Sequence, residues 1–525
     1  MPKHKIWFWL AALAAAILFD YLFGDQRAGV SFFVWISVLL AGGYLLSWRE
    51  GVKPHPLSSV LTVAIIGFSA VLALRNEPFT RAISILLALA GMLLLAATFL
   101  NGHWLWYRLK DYLIEFTKVI VAGIAGAGQQ LAMRKDNNPP PLDGSTAQKP
   151  SRRVWPVLRG ILIALPIVII FALLLSSADP LFADWVKKFF DTELLPEYLF
   201  RAFYILVITW ILIGVYTTAI HPASKNLKPD PETPWFKPFL GWTESAIVLG
   251  AVNLLFITFV VFQVRYLFGG DANITATGYT YADYARRGFS ELVIVAVLSL
   301  GLYLVLSTVT KTNAKPAKAW FSVLTVVLMG LVLVMLASSL QRLLLYENAY
   351  GFSRLRTYTH IFIYWLAALI LVAIVLELIN RRGRFALALL ITVIGFGATL
   401  AIMNIDGFIV QRNVARAQAG SSLDVAHLNS LSTDAIPQML KHYQDDQMPQ
   451  KVHNGLGATL ACFEKTTQNP AYISWQSKSL SQIRAYRLLQ DNAASWSQFK
   501  PYFADRMWVI MVDGEEITCT STFFD

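Results

Sequence analysis

The densest set of side chains capable of ionic chemistry lies in YTYADYARRGFSEL, residues 279–292, between two long apolar runs. If this stretch is helical, Asp283, Arg287 and Glu291 recur at four-residue intervals and form an acid–base–acid ladder on one helix face. Arg286 projects about 100° away from that ladder, which leaves it available for another group. Because the planar guanidinium matches phosphate and carboxylate, the stretch predicts a site for an anionic headgroup or a partner protein.

Three other stretches place charged residues next to apolar runs: SSADPLF at 176–182, YGFSRLR at 350–356 and NIDGFIVQRN at 404–413. Together with the first stretch they supply the predicted anion or partner site, whose residues are Arg286, Arg354, Arg356, Tyr281 and Tyr284. The other charged residues are predicted to form a structural network, made of Asp179, Asp283, Arg287, Glu291, Asp406 and Arg412. In an alternative interpretation, the tyrosines form an interfacial aromatic belt and the arginines pair with loop acids to hold span ends together.

The sequence carries no motif typical of the common catalytic or cofactor-binding sites. It lacks a Walker lysine loop, HExxH, CxxC and GxSxG, and its eight histidines are scattered without ligand spacing. No catalytic residue, no metal site and no cofactor is therefore predicted, and the sequence favours a protein that is not an enzyme.

The composition is typical of a membrane protein. Apolar residues make up 56% of the chain and charged residues 15%, and the mean hydropathy of +0.52 exceeds that of soluble domains. Roughly 20 apolar helical residues cross a hydrocarbon core about 30 Å thick. Eleven stretches have about this length: 6–23, 30–46, 57–74, 82–100, 154–175, 199–220, 239–267, 292–308, 320–344, 358–378 and 385–402. Because these stretches lack the alternation of apolar and polar residues that is typical of barrel strands, we predict an all-α polytopic membrane protein with about eleven transmembrane helices.

The basic residues indicate an orientation. Lys and Arg concentrate on the cytoplasmic side of short loops, and here they favour the amino terminus and alternate loops such as 134–153 and 311–318. We therefore predict a cytoplasmic amino terminus and an extracytoplasmic carboxyl terminus. The net charge of +11 then reflects anchoring beside anionic lipid, so membrane lipids are predicted partners and nucleic acid is not.

Shifts in composition divide the chain. Residues 1–133 are predicted to form a four-span unit with an interfacial helix, 134–153 a cytoplasmic linker and 154–403 a seven-span unit. Residues 404–525 lack long apolar runs and predict a small extracytoplasmic domain, α+β or mostly α, with a hairpin turn at Asp513-Gly514. The only two cysteines, Cys462 and Cys519, fall in this domain, as two buried thiols or as one disulfide.

Few ionisable residues lie deep in the apolar stretches. Asp20, Glu244 and Glu377 are near span ends, where we expect their side chains to reach the interface, and Asn253 and Gln263 are expected to bond between helices. A charge at mid-bilayer costs roughly 2.5–3.5 kcal/mol and marks ion pathways. The scarcity of such residues favours a cell-envelope binding or sensing component, with a headgroup or an envelope protein as partner. The alternative is a transporter or a lipid-linked transferase.

The four quoted stretches, in this order along the chain, resemble the signatures of a bacterial family of polytopic membrane proteins. This family is the domain of unknown function 4173, close to the 4153 group, and the resemblance covers about 154–432. It implies a multi-pass protein of the bacterial inner membrane and carries no activity with it.

Overall fold

A computed structural model of the chain describes residues 4–24, 26–126, 197–222, 238–267, 289–311, 315–467, 472–504 and 506–519, together with 164, 168, 171–172, 174–182 and 184. Most of these residues are helical, because a helix satisfies its own backbone hydrogen bonds where no water is available.

The described helices are numbered here in chain order. They are α1 (Lys5–Phe23), α2 (Val30–Glu50), α3 (Pro56–Leu74), α4 (Pro78–Thr98), α5 (Leu109–Ala125), α6 (Glu197–Ile220), α7 (Trp242–Leu267), α8 (Phe289–Val309), α9 (Lys315–Tyr350), α10 (Arg354–Leu378), α11 (Phe385–Ile402), α12 (Ile405–Gln418), α13 (Val425–Asn429), α14 (Ile436–Tyr443), α15 (Gln450–Thr466) and α16 (Leu480–Asp491). The strands are β1 (Tyr502–Ala504), β2 (Met507–Val512) and β3 (Glu515–Thr518).

Within the described part of the chain, ten helices are long and apolar enough to cross a membrane, namely α1 to α4 and α6 to α11. They correspond one to one with ten of the predicted spans. The remaining predicted span, 154–175, falls largely outside the described residues. The prediction of an all-α polytopic membrane protein with a small C-terminal domain is confirmed. Helix α5 is not among the ten, and its place in the interface stays a prediction.

The spans leave much of their apolar surface uncovered by protein. Between 17% and 44% of the residues in each apolar window are buried, and Leu254, Leu298 and Leu371 are among the exposed side chains. Uncovered apolar surface costs about 25 cal/mol per Å² in water. The burial pattern is therefore the one expected of helices that face lipid.

The chain divides into two compact units. Unit 1 comprises Met1–Ser69, Ala88–Trp104 and Asp111–Lys228, and unit 2 comprises Ala70–Leu87, Leu105–Lys110 and Pro229–Asp525. In unit 1, α1 packs against α2 and α6. The predicted boundaries near 133, 153 and 403 stay predictions.

Helix α9 organises the spans of unit 2, where it packs against α7, α8 and α10. Its 36 residues make it about 54 Å long, and it continues past the predicted span 320–344 at both ends. Two hydrogen bonds join it to α7: Asn253 Nδ2 donates to Leu324 O over 2.9 Å, and the Ser338 hydroxyl donates to Gln263 Oε1. Asn253 and Gln263 thus bond between helices, as expected from the sequence.

Glu377 differs from the sequence-based expectation of a side chain that reaches the interface. Its side chain is fully buried and pairs with Arg382, which follows α10. The hydroxyls of Ser322 and Tyr303 donate to its two carboxylate oxygens over 2.5 Å and 3.1 Å. Hydropathy indicates how far along a span a residue lies, but not which face of the helix packs against neighbouring helices. The burial of Glu377 between α10, α8 and α9 was therefore not predicted.

The described residues between 404 and 519, called the cap here, contain five α-helices and a small sheet. Helices α12 to α16 precede an antiparallel sheet of order β1-β2-β3, in which Val509 pairs with Tyr502 and with Thr518. Asp513 and Gly514 have φ of 51° and 91°, the left-handed conformations required by a two-residue hairpin. The cap core continues into the spans, because the span residues Ile361 and Leu400 belong to the same buried cluster.

Cys462 on α15 and Cys519 after β3 form a disulfide with a Cα–Cα distance of 5.2 Å. Both residues are buried in the cap core. Of the two states that the sequence left open, the structure has the disulfide, which closes a loop with a sequence separation of 57.

Candidate functional site

Two of the predicted residues, Arg354 and Asp406, form a buried ion pair. Arg354 begins α10, and its Nε and Nη2 donate to the two oxygens of Asp406 over 2.8 Å and 2.7 Å. The Asp406 side chain is fully buried and that of Arg354 is 23% exposed. The amide of Ser432 donates to Asp406 over 2.7 Å. This two-point geometry is the strongest form of an arginine–carboxylate interaction, and it binds the first turn of α12 to α10.

A second cap acid, Asp434, reaches the loop before α4. Its Oδ2 accepts hydrogen bonds from the amides of Asn76 and Glu77 over 2.9 Å and 3.0 Å. The Asn404 amide group donates to the Asp434 carbonyl over 2.7 Å. Since Asn404 also accepts from the amide of Gly407 over 3.0 Å, it caps α12 and fixes Asp434 with the same side chain.

A third acid, Glu77, comes from the span side. Its carboxylate accepts from the amides of Phe79 and Thr80 over 2.9 Å and 2.7 Å, which satisfies free donors at the start of α4. The Tyr358 hydroxyl of α10 also donates to it, and the rings of Phe79 and Tyr358 stack at 4.3 Å.

The cap joint is the name used here for these six residues: Asn76, Glu77, Arg354, Tyr358, Asp406 and Asp434. All of them belong to unit 2. The described residues contain no group of three or more His, Cys, Asp and Glu that could hold a metal ion. The cap acids Asp406 and Asp434 instead accept hydrogen bonds from Arg354 and from the loop before α4, which connects the cap to the ends of α3, α4 and α10. Glu77 accepts hydrogen bonds from the start of α4 and from Tyr358 and so joins α4 to α10.

The pKa of Asp434 is raised above its ordinary value. Burial is the main cause, because desolvation disfavours the charged form, and the charge of Asp406 acts in the same direction. The Ser481 hydroxyl, the Asn76 amide and the charge of Arg75 partly offset the increase.

We expect this shift to appear in the pH dependence of stability. Between about pH 3.9, the pKa of an unfolded Asp, and the raised folded pKa, the folded state binds more protons. The contribution of Asp434 to the free energy of unfolding therefore falls as pH rises. Asp434→Asn keeps an oxygen acceptor without the charge, so its melting temperature minus that of the wild type should increase from pH 4 to pH 7. The exposed Asp446→Asn should show a flat difference, and a difference that decreases for Asp434→Asn would contradict the argument.

A second contact joins α12 to the turn between α9 and α10. Asn413 accepts from the amide of Phe352 over 2.7 Å and donates to its carbonyl over 2.9 Å. Arg416 donates to Asn348 O over 2.7 Å and to Ala349 O over 3.2 Å, which satisfies free carbonyls at the C-terminus of α9. Gly351 has a φ of +82°, and a Cβ there would lie 2.8 Å from Asn413 Oδ1. Only glycine fits this turn without strain.

The other predicted site residues are placed as follows. Arg356 donates to Gly351 O, and Arg412 lies exposed with its guanidinium carbon 5.2 Å from the Phe408 ring centroid. Asp179, in unit 1, accepts from the amides of Leu181 and Phe182, and Glu291 accepts from the Ser290 hydroxyl over 2.9 Å. Tyr281, Asp283, Tyr284, Arg286 and Arg287 lie outside the described residues. The structure thus brings Arg354, Arg356, Asp406 and Arg412 to one end of the spans.

Sequence reasoning missed Glu77, Tyr358, Asp434, Asn413 and Arg416. Two of them carried a local signal. Glu77 precedes Pro78 in a pattern typical of a helix start, and Asp434 follows Ser432, whose hydroxyl accepts from the Asp434 amide in a short turn. Tyr358, Asn413 and Arg416 sit inside helical patterns without such a signal.

Comparison with known proteins gives one result. A family model described as Domain of unknown function (DUF4153) matches residues 62–442. No curated protein and no solved structure matches the chain. The resemblance in the sequence pointed to the neighbouring 4173 family and to about 154–432, so it was correct only for the broader group. The match also takes in most of α3 and all of α4, and it includes every residue of the cap joint. This multi-pass membrane chain, whose C-terminal domain is bonded to its spans through buried acids, belongs to the DUF4153 family.

Proposed function

We propose that this protein is a binding or sensing component of the bacterial inner membrane. In this proposal an anionic headgroup or an envelope protein binds at the end of the spans that carries the cap, and the cap reports the binding. The observation that supports it best is the cap joint. A cap joined to spans by buried charged groups is suited to transmit a change from one to the other.

The chemistry of the joint explains why the cap and the spans respond together. Asp406 is fully buried, and a buried charge needs its partner because desolvation is costly. Moving the cap away from α10 would leave both Asp406 and Arg354 without that partner. A ligand that shifts α10 therefore acts on the cap, provided that it favours one arrangement over the other.

The proposal includes an orientation and a set of residues. The amino terminus is cytoplasmic and the cap extracytoplasmic, supported by the distribution of Lys and Arg. The binding residues are Arg354, Arg356, Arg286, Tyr281 and Tyr284. Arg354 and Arg356 lie at the start of α10, next to the cap joint, and Arg354 contributes there through its pair with Asp406.

A transporter or lipid-linked transferase is the alternative. It would use a buried ionisable residue such as Glu377. The carboxylate of Glu377 is engaged by Arg382, Ser322 and Tyr303, which favours a structural role.

Two exposed positions test the proposal in intact cells. Tyr472, in the cap, is 89% exposed, and Lys53, in the loop between α2 and α3, is also exposed. Tyr472→Cys should react with a membrane-impermeant maleimide, whereas Lys53→Cys should react only after permeabilisation. A photocrosslinking amino acid at 472 should give a discrete adduct with an envelope component that the same group at 53 does not give. Labelling at 53 alone would contradict the orientation, and equal adduct patterns would contradict binding at the cap end.

A further inference from the structure

Two guanidinium groups, of Arg356 on α10 and Arg416 on α12, lie at the turn between α9 and α10, where their hydrogen bonds to described residues go to main-chain carbonyls. Arg356 donates to Gly351 O and lies over the Tyr346 ring at 4.0 Å. Arg416 donates to Asn348 O over 2.7 Å through Nη2 and over 3.1 Å through Nε. Among the ion pairs of the described residues, neither arginine has an acidic partner. Within the part of the chain that the structure describes, both positive charges therefore lack an acidic partner, whereas that of Arg354 is paired with Asp406.

The two groups are close together. Nη1 of Arg416 lies 2.9 Å from the position of a Cβ on Gly351, and Nη1 of Arg356 bonds to the carbonyl of the same glycine. Their mutual effect is visible in the pKa of Arg416, which burial lowers first and the charge of Arg356 lowers further. Two like charges that meet at one glycine repel each other, and an anion between them would remove that repulsion.

The surroundings of the pair identify the kind of anion. Leu355, next to Arg356, is 71% exposed, and Tyr350 is 55% exposed. The rings of Tyr346 and Tyr350 lie 5.0 Å apart, both at the C-terminal end of the candidate span α9, and Leu355 lies at the start of the next span. Exposed leucine beside tyrosine at a span end is typical of the membrane interface, where the abundant anion is the headgroup phosphate.

We infer that Arg356 and Arg416 form a binding site for the phosphate of a membrane phospholipid. Phosphate oxygens would accept from the donors of each guanidinium that the carbonyls leave unused, while the acyl chains lie along Leu355 and Tyr350. This inference deepens the proposed function, on which it rests for the role of the cap end. It assigns a ligand class and adds Arg416, a residue that the sequence did not single out.

Melting of the purified full-length protein in detergent tests the site with three probes. Phosphatidylglycerol carries the phosphate and the tails, diacylglycerol the tails alone, and inorganic phosphate the anion alone. Phosphatidylglycerol should raise the melting temperature in a saturable way, and the other two should do so weakly or not at all. Each of Arg356→Gln and Arg416→Gln should raise the lipid concentration for half the effect at least about tenfold, since a charged hydrogen bond is lost.

Arg412→Gln is the matched control, because Arg412 is an exposed arginine one turn earlier on α12. It should leave the lipid effect unchanged. If a Gln variant does not fold, Arg356→Lys and Arg416→Lys retain the charge without the planar fork. Each should raise the lipid concentration for half the effect by a smaller factor than the tenfold expected of the Gln variants.

Three results would overturn the inference. The first is an unchanged lipid effect in the Arg356→Gln/Arg416→Gln protein. The second is an equal effect of diacylglycerol, which would assign the binding to the tails. The third is an equal, variant-sensitive effect of inorganic phosphate, which would assign the site to a soluble anion. The proposed function fails by a different result, namely labelling of position 53 and not 472, so the two failures can be distinguished.

Discussion

Replacing Asp406 with alanine is expected to lower the free energy of unfolding by about 3–5 kcal/mol, the cost of breaking a buried ion pair from one side. The substitution leaves Arg354, only 23% exposed, without its carboxylate. It also removes the acceptor for the Ser432 amide. The larger part of the loss comes from the buried guanidinium and amide that are left without a partner. Their removal from water is then no longer compensated by a hydrogen bond.

A double variant separates these two contributions. Arg354→Leu/Asp406→Leu removes both charges, and apolar replacement of a buried pair is often neutral or stabilising. We therefore expect the double variant to be more stable than Asp406→Ala. The measurement is thermal melting in nanodiscs together with limited proteolysis of the exposed segment 419–422 after α12. Asp406→Ala should become cleavable there, whereas the double variant should resist.

Arg412→Ala serves as the control for the loss of an arginine near the cap joint, and we expect a change within about 0.5 kcal/mol because the side chain is exposed. A loss below about 1 kcal/mol in Asp406→Ala would show that the pair is not important for holding the cap, and the coupling in the proposed function would lose its basis.

The spans and the hairpin were predictable because their causes are local. A run of about 20 apolar residues has few stable alternatives to a membrane helix, and α1 to α4 and α6 to α11 match such runs. The Asp513-Gly514 turn needs two positive φ values, which a short list of residue pairs provides. In both cases the sequence within the element contains the whole explanation.

The sequence left open that arginines pair with loop acids to hold span ends together, but which arginine pairs with which acid was not predictable, because it depends on which span ends are neighbours. Arg354 and Asp406 were assigned to different roles from the sequence, as ligand binding and as structural network, yet they bond to each other across 52 residues. Asp434 bonds to Asn76 across 358 residues. No periodicity within a helix reports contacts at that separation. The end of α3 and the start of α4 could therefore be assigned to the site only from the structure.

The loss of the Cys462–Cys519 disulfide is expected to destabilise the cap by about 4 kcal/mol. In the chain-entropy account a cross-link stabilises by restricting the unfolded chain, and the effect increases with the closed loop, here a separation of 57 residues. The bond ties α15 to the segment after β3, so Cys462→Ala/Cys519→Ala should unfold the sheet and α15 at a lower temperature than the spans.

The measurement is cap melting by circular dichroism, with thiol labelling of the denatured protein with and without reductant. Reductant should lower the melting temperature of the wild type and leave that of Cys462→Ala/Cys519→Ala unchanged, because the variant has no bond to reduce. In the wild type, labelling should require reductant. Equal labelling in both conditions would show that the two cysteines are not joined by a disulfide. Such a bond persists in an oxidising compartment and not in the cytoplasm, so protein taken directly from cells with both thiols reduced would also count against an extracytoplasmic cap.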